Sequence, residues 1–180
     1  MCEACKVVVF DFDSTLSSPI YVASRRVWAI ADKPEVLASL SAAEKIENFG
    51  GAERLASLDA LLQTLRDRGV DLFIISIGFK RAIVPLLEAV ALVRHFDVAK
   101  IYGQDSPELA SRHYVKADLI AHLATKKQWT TPKDVLFVDD SAEHIAAAQA
   151  INIARTLKVR GHRGILKRDI DIILDRVSER

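Results

Sequence analysis

The chain has 180 residues, 50% hydrophobic and 27% charged, the composition of one ordinary folded domain and not of a disordered segment. Its 25 basic and 24 acidic residues leave a formal charge of +1, so no bulk field favours nucleic acid or an anionic membrane surface. No apolar run approaches the roughly 18 residues that a membrane span needs.

At the N-terminus, Cys2 and Cys5 form a C-x-x-C pair, but the chain has no further thiolates to complete a four-cysteine zinc site. The pair does not open a helix after a strand, and a frayed, unpaired terminus is expected. The run "VVVFDFD" (7–13) follows, apolar on both faces, which marks a central parallel strand covered by helices. It is too short for the apolar stretch of a signal peptide and meets acids at once, so a cytoplasmic protein is expected.

Residues 18–51 interrupt the pattern, punctuated by Pro19, Pro34 and the Gly50–Gly51 pair. They read as a small cap-like insertion above the carboxyl end of the first strand, within a single domain spanning 1–180. Inside it, "SRRVWAI" (24–30) has two readings. Arg25, Arg26 and Trp28 either reach over a site to grip substrate or belong to an amphipathic helix with solvated arginines.

Strand and helix then alternate. "AERLASLDALLQTLRDRG" (52–69) places Leu55, Leu58, Leu62 and Leu65 on one face and stops at a glycine. "VDLFIISIG" (70–78) is a second buried strand, followed by a helix over 79–93. A weaker strand at 99–103 precedes a helix over 115–129 that ends near Trp129, a core residue. "DVLFVDD" (134–140) is the third strong strand, and the helix over 141–151 starts at a serine N-cap. A weaker strand at 153–159 and a helix over 165–177 complete the chain. The alternation predicts an α/β fold with a doubly wound, Rossmann-like parallel sheet.

In such a sheet, ligands bind outside the carboxyl ends of the strands. The three strong strands end in Asp11 and Asp13, in Ser76, and in Asp139 and Asp140. Four carboxylates gathered at one edge repel one another and require a cation. An oxygen-rich set suits a hard ion, Mg²⁺ above all. The histidines at 95, 113, 122 and 144 lack ligand spacing.

These segments resemble the four motifs of the haloacid dehalogenase superfamily of aspartate-dependent phosphohydrolases. "VVVFDFDSTLS" is similar to its first motif, in the form seen in phosphoserine phosphatases; "FIISIGF" to its second; Lys116 in "HYVKADLI" to its third; "VLFVDDSAEHI" to its acidic fourth. The resemblance implies a Mg²⁺-dependent phosphomonoester hydrolase. Asp11 would be the nucleophile, and Asp13, read as lying on the same face of the strand end, the acid and base. Ser76 with the amides of Ile77 and Gly78 would bind phosphoryl oxygens, and Lys116 would neutralise charge. Asp11, the carbonyl of Asp13, Asp139 and Asp140 would surround the metal. Three departures limit the match to phosphoserine enzymes. Ile77 stands where they carry glycine, the fourth motif is D-D-S where they have G-D-G, and the insertion over 18–51 is short for a full helical cap.

Other readings remain. The same fold could serve a phosphotransferase or phosphomutase, or a member that binds phosphate or a protein without turnover. A phosphorylated receiver domain fits less, because its acids and lysine come in another order. The partner implied is a phosphorylated small molecule, with a phosphoprotein as a larger option. Nothing in the sequence sets an oligomeric state. The stretch "KVRGHRG" (158–164) is either a solvated basic loop or a recognition loop, in which Arg160 and Arg163 accept a second anionic group.

Overall fold

The three long apolar runs form the centre of a parallel sheet. In the computed structural model, which describes residues 5–18, 33–161 and 163–178, β1 is Val7–Phe10, β2 Asp71–Ile75, β3 Ile101–Tyr102, β4 Val135–Asp139 and β5 Arg155–Lys158. Their order is β3-β2-β1-β4-β5, and every pairing is parallel. The helices are α1 Lys33–Ala38, α2 Ala42–Glu47, α3 Ala52–Asp67, α4 Lys80–Ala89, α5 Pro107–Ala110, α6 Lys116–Lys127, α7 Ala142–Ala150 and α8 Lys167–Ser178. The predicted doubly wound α/β architecture is the one observed.

Side-chain alternation along the strands divides the core into two layers. Val8, Phe10, Leu72, Ile74, Leu136 and Val138 face one way, against α3, α4 and α8. Val7, Val9, Phe73, Ile75, Val135 and Phe137 face the other, against α6 and α7. Each fully buried Val, Ile, Leu or Phe contributes roughly 1.5–3 kcal/mol relative to exposure. That is why β1, with no polar position on either face, can occupy the middle. Trp129 packs edge-on to Phe73 with ring centroids 5.4 Å apart, as its core assignment expected.

Residues 19–32 of the expected insertion, with Arg25, Arg26 and Trp28, lie outside the described residues. The described remainder packs on the domain itself. Leu37, Leu40 and Phe49 are buried in the first core layer. Ser41 starts α2 with a capping box, its hydroxyl accepting from Glu44 N–H while its own N–H donates to the Glu44 carboxylate. Ser18 N–H donates to Asn48 C=O at 2.7 Å, which joins the chain on either side of residues 19–47.

Cys5 departs from the expectation of a frayed terminus. It is buried, with its thiol 3.3 Å from Val7 C=O, because Lys6 N–H extends the sheet by donating to Asp134 C=O. Burial pushes the thiol's pKa up, which makes Cys5 an inert core residue. Cys2 lies outside the described residues. Among the described residues, no helix is long and apolar enough to cross a membrane.

Candidate active site

Strand register decides which side chains meet. Phe10 pairs with Ile74 on one side and Val138 on the other, so β2 and β4 run one residue past β1 and end beside Asp11. The chain steps from β1 to β2 on one flank and later returns to β4 on the other. The crevice at this reversal is the topological switch point of the sheet. Asp11 sits at its mouth, with its N–H bonded to Val138 C=O at 2.8 Å.

Beyond Phe10 the strand does not continue through Asp13, as the sequence predicted. Residues 12–16 wind into a tight turn closed by Ser17 N–H on Phe12 C=O, with Ser14 at φ 60°. A two-residue strand period therefore does not place Asp13; the turn does. Its carboxylate comes to the opposite wall of the cleft, where a Cβ added to Gly78 would lie 3.0 Å from Asp13 Oδ2. The cleft has a volume of about 380 Å³ and brings together Asp11, Asp13, Ser76, Ile77, Gly78, Lys116 and Asp140.

Lys116, the first residue of α6, is 2% exposed. Its ammonium lies 2.6 Å from Asp11 Oδ1 and 2.7 Å from Asp139 Oδ2. A cation at a helix N-terminus opposes the helix dipole, and only the two carboxylates make this position favourable. Burial acts to lower Lys116, but Asp11 and Asp139 overcome it and hold the ammonium above its ordinary pKa. Burial drives Asp11 the other way, to about 6, against the pull of Lys116 and with a further push from Asp139. Asp139 is also buried, yet His144, Lys116 and Ser141 N–H, the last at 2.7 Å from Oδ1, hold it below the usual carboxylate range. Thr15 Oγ1 donates to the second Asp11 oxygen at 3.2 Å.

Oxygens of Asp11, Asp139 and Asp140 lie within 4.8 Å of one another. This all-carboxylate set, beside the buried Lys116 ammonium, fits a hard divalent cation such as Mg²⁺. The side chain of Asp13 is outside this cluster. Ser76 is buried at the end of β2, its N–H bonded to Tyr102 C=O at 2.9 Å, and its hydroxyl accepts from Gly78 N–H at 3.0 Å. Gly78 N–H is thus engaged within its own loop, and the Ile77 side chain lines the cleft wall at 37% exposure. Arg160 and Arg163 are exposed and are not among the residues that line the cleft.

Two features escaped sequence reading. His144 lies one helical turn beyond Asp140, lines the cleft, and places Nδ1 3.2 Å from Asp139 Oδ2. The loop after β3 braces the loop after β2, since Asp105 accepts from the N–H groups of Lys80 and Arg81, and Gln104 N–H donates to Gly78 C=O. Gly103 permits this approach. A Cβ there would lie 2.2 Å from Lys80 N and 2.7 Å from Gly78 C=O. Gly103→Ala is expected to force the two loops apart, costing about 1–3 kcal/mol and misplacing Ser76. A thermal melt and a kcat measurement check this, both falling together.

A family model for haloacid dehalogenase-like hydrolases matches residues 53–152. No curated protein matches the chain. Among solved structures, DsGPDH of Dunaliella salina is 16% identical with a TM-score of 0.58, covering 89% of this chain and 25% of that one. The chain thus spans about a quarter of that protein. A HAD phosphatase from Thermococcus onnurineus is 14% identical with a TM-score of 0.57, covering 96% and 98% of the two chains. A dehalogenase with an intermediate complex is 13% identical with a TM-score of 0.59, covering 100% of both. At these identities the likeness is one of fold.

Proposed function

This chain belongs to the haloacid dehalogenase-like hydrolase family, and we propose that within it the chain is a Mg²⁺-dependent phosphomonoester hydrolase acting through an aspartyl-phosphate on Asp11. One observation carries the reading: Asp13 lines the same cleft as the Asp11–Asp139–Asp140 cluster. Displacement of a halide needs no proton, whereas an alkoxide leaving from phosphorus does, so a second carboxyl beside the nucleophile supports the phosphoester chemistry.

The residues divide the reaction as follows. The carboxylate of Asp11 attacks phosphorus and forms a P–O bond while the ester oxygen departs, taking a proton from Asp13. Asp13, now ionised, removes a proton from water, which attacks phosphorus and breaks the bond to Asp11. Inorganic phosphate leaves, and both acids return to their starting states. Lys116 keeps Asp11 ionised in a site that burial would otherwise protonate, and Ser76 offers its hydroxyl to a phosphoryl oxygen. Held by Asp11, Asp140 and Asp139, Mg²⁺ would supply the positive charge that lets an anionic phosphoryl group enter among carboxylates.

The proposed substrate is a phosphorylated small molecule. The described cleft wall bears Ile77, Phe79 and Gln104, which supports an uncharged leaving group more than a second anion. A panel of phosphomonoesters with Mg²⁺ tests the reading. Release of inorganic phosphate to water supports it, whereas transfer only to an added acceptor makes the chain a phosphotransferase. Halide release from haloacids without phosphatase activity overturns it.

The division of roles has its own test. Asp13→Asn is expected to retain Mg²⁺ affinity and lose about 10²–10⁴-fold in kcat, the range typical of general acid–base removal. Asp140→Ala is expected to weaken Mg²⁺ binding instead. Metal titration of both variants separates the two, and equal loss of affinity contradicts the assignment.

A further inference from the structure

Arg54 occupies the first turn of α3, where a cation is disfavoured by the helix dipole, and it is largely buried. Its guanidinium makes four hydrogen bonds, all to backbone carbonyls. Nη2 donates to Thr15 C=O at 2.9 Å, Nη1 to Leu16 C=O at 2.9 Å and Phe49 C=O at 2.6 Å, and Nε to Ile165 C=O at 2.9 Å. Burial lowers its pKa to about 10, with Asp169 acting in the opposite sense. Three separate segments converge on this one side chain: the turn after Asp11, the chain at Phe49 just before α3, and the loop before α8.

The surroundings are shaped to it. Gly164 has φ +72°, and a Cβ there would lie 2.2 Å from Arg54 Nη2 and 2.7 Å from the carbonyls of Thr15 and Ser17. Ile165 N–H also donates to Thr15 C=O at 2.9 Å. The held turn contains Ser14 in the left-handed region, a conformation that persists only where neighbours over-determine it. On its far side, Thr15 returns its hydroxyl to Asp11 Oδ2.

We infer that Arg54 is a positioning residue for the nucleophile: by fixing the carbonyls of Thr15 and Leu16 it sets the turn that aims Asp11, and it locks that turn to the chain at Phe49 and to the C-terminal loop. The planar five-donor fork suits this task, and a lysine ammonium, with three donors on a flexible stem, cannot reach four spread carbonyls. The link from guanidinium to nucleophile runs Arg54, Thr15 backbone, Thr15 hydroxyl, Asp11.

The test uses Arg54→Gly, Arg54→Lys and Thr15→Val in the full chain. Hydrogen exchange, which needs no turnover, is read first. Faster exchange in Arg54→Gly confined to residues 12–18, 48–50 and 163–166, restored by guanidinium ion but not by equal sodium chloride, is expected. Uniformly faster exchange, or none, overturns the inference. The kinetic arm rests on the phosphatase reading. In Arg54→Gly, kcat is expected to fall about 10²-fold, as a misplaced reacting group does, with KM within about threefold. Guanidinium is expected to recover at least tenfold and Arg54→Lys very little. Thr15→Val keeps the backbone carbonyl and removes the hydroxyl, so it is expected to lower kcat with exchange at 163–166 unchanged. Unaltered kcat in folded Arg54→Gly, or in Thr15→Val should Arg54→Gly not fold, contradicts the role. An inactive parent that still shows the confined exchange would overturn the phosphatase reading and leave the Arg54 link standing.

Discussion

Asp11→Asn is expected to abolish turnover, by at least about 10³-fold, while making the metal-free protein more stable at neutral pH. The amide keeps the shape and can still accept from Lys116 and meet Thr15. What it removes is a charge buried beside Asp139. Burial holds Asp11 at about 6, so the folded protein binds this proton more tightly than the unfolded chain, where the value is about 3.9. The group's stabilising contribution is therefore complete below about pH 4 and is lost as pH rises through about 6. Asparagine does not titrate. The melting temperature of Asp11→Asn in chelator should exceed the parent's above pH 6, and the gap should close on acidification. A gap that widens toward pH 4 contradicts this electrostatic picture.

Lys116→Met is expected to have the largest effect on stability of any single change in the site. It leaves the carboxylates of Asp11 and Asp139, both buried, without their shared ammonium. Breaking a buried pair in this way costs about 3–5 kcal/mol, or roughly 10 °C in melting temperature for a chain of this size. Two controls separate charge from lost packing. The double change Lys116→Met with Asp139→Asn should recover part of the loss, since coupled sites are not additive. Saturating Mg²⁺ should recover part as well, by supplying a cation to the same carboxylates. A variant within a degree or two of the parent in chelator contradicts the view that Lys116 balances this cluster.

The sequence made the central strands legible because β1, β2 and β4 are short β-rich runs, apolar on both faces and bounded by polar residues, as covered parallel strands are. The carboxylates were legible because like charges at the end of a buried strand have no folding reason to be there. The turn that places Asp13 was not, since its shape depends on Ser14 at φ 60° and on Arg54, 39 residues beyond Thr15. Arg54 itself reads as the outer face of an amphipathic helix. Gly103 and Asp105 act through a contact between two loops 25 residues apart, which no local pattern records. Cys5 is buried because its neighbour Lys6 pairs with Asp134 and Asp71, again a long-range event. The basic loop carrying Arg160 and Arg163 lies at the correct end of β5, but chain position alone did not tell whether it reaches the cleft.

In the proposed reaction Asp11 carries the phosphoryl group, and reductive trapping detects that intermediate. The protein is mixed with Mg²⁺ and an aryl phosphate, quenched in acid during turnover, and treated with borohydride, which reduces an acyl phosphate to the alcohol. Peptide mass spectrometry should find homoserine in place of aspartate at position 11, and none in unreacted protein or in Asp11→Asn. Turnover with no homoserine at position 11, or with homoserine at Asp13 or Asp140 instead, would contradict it.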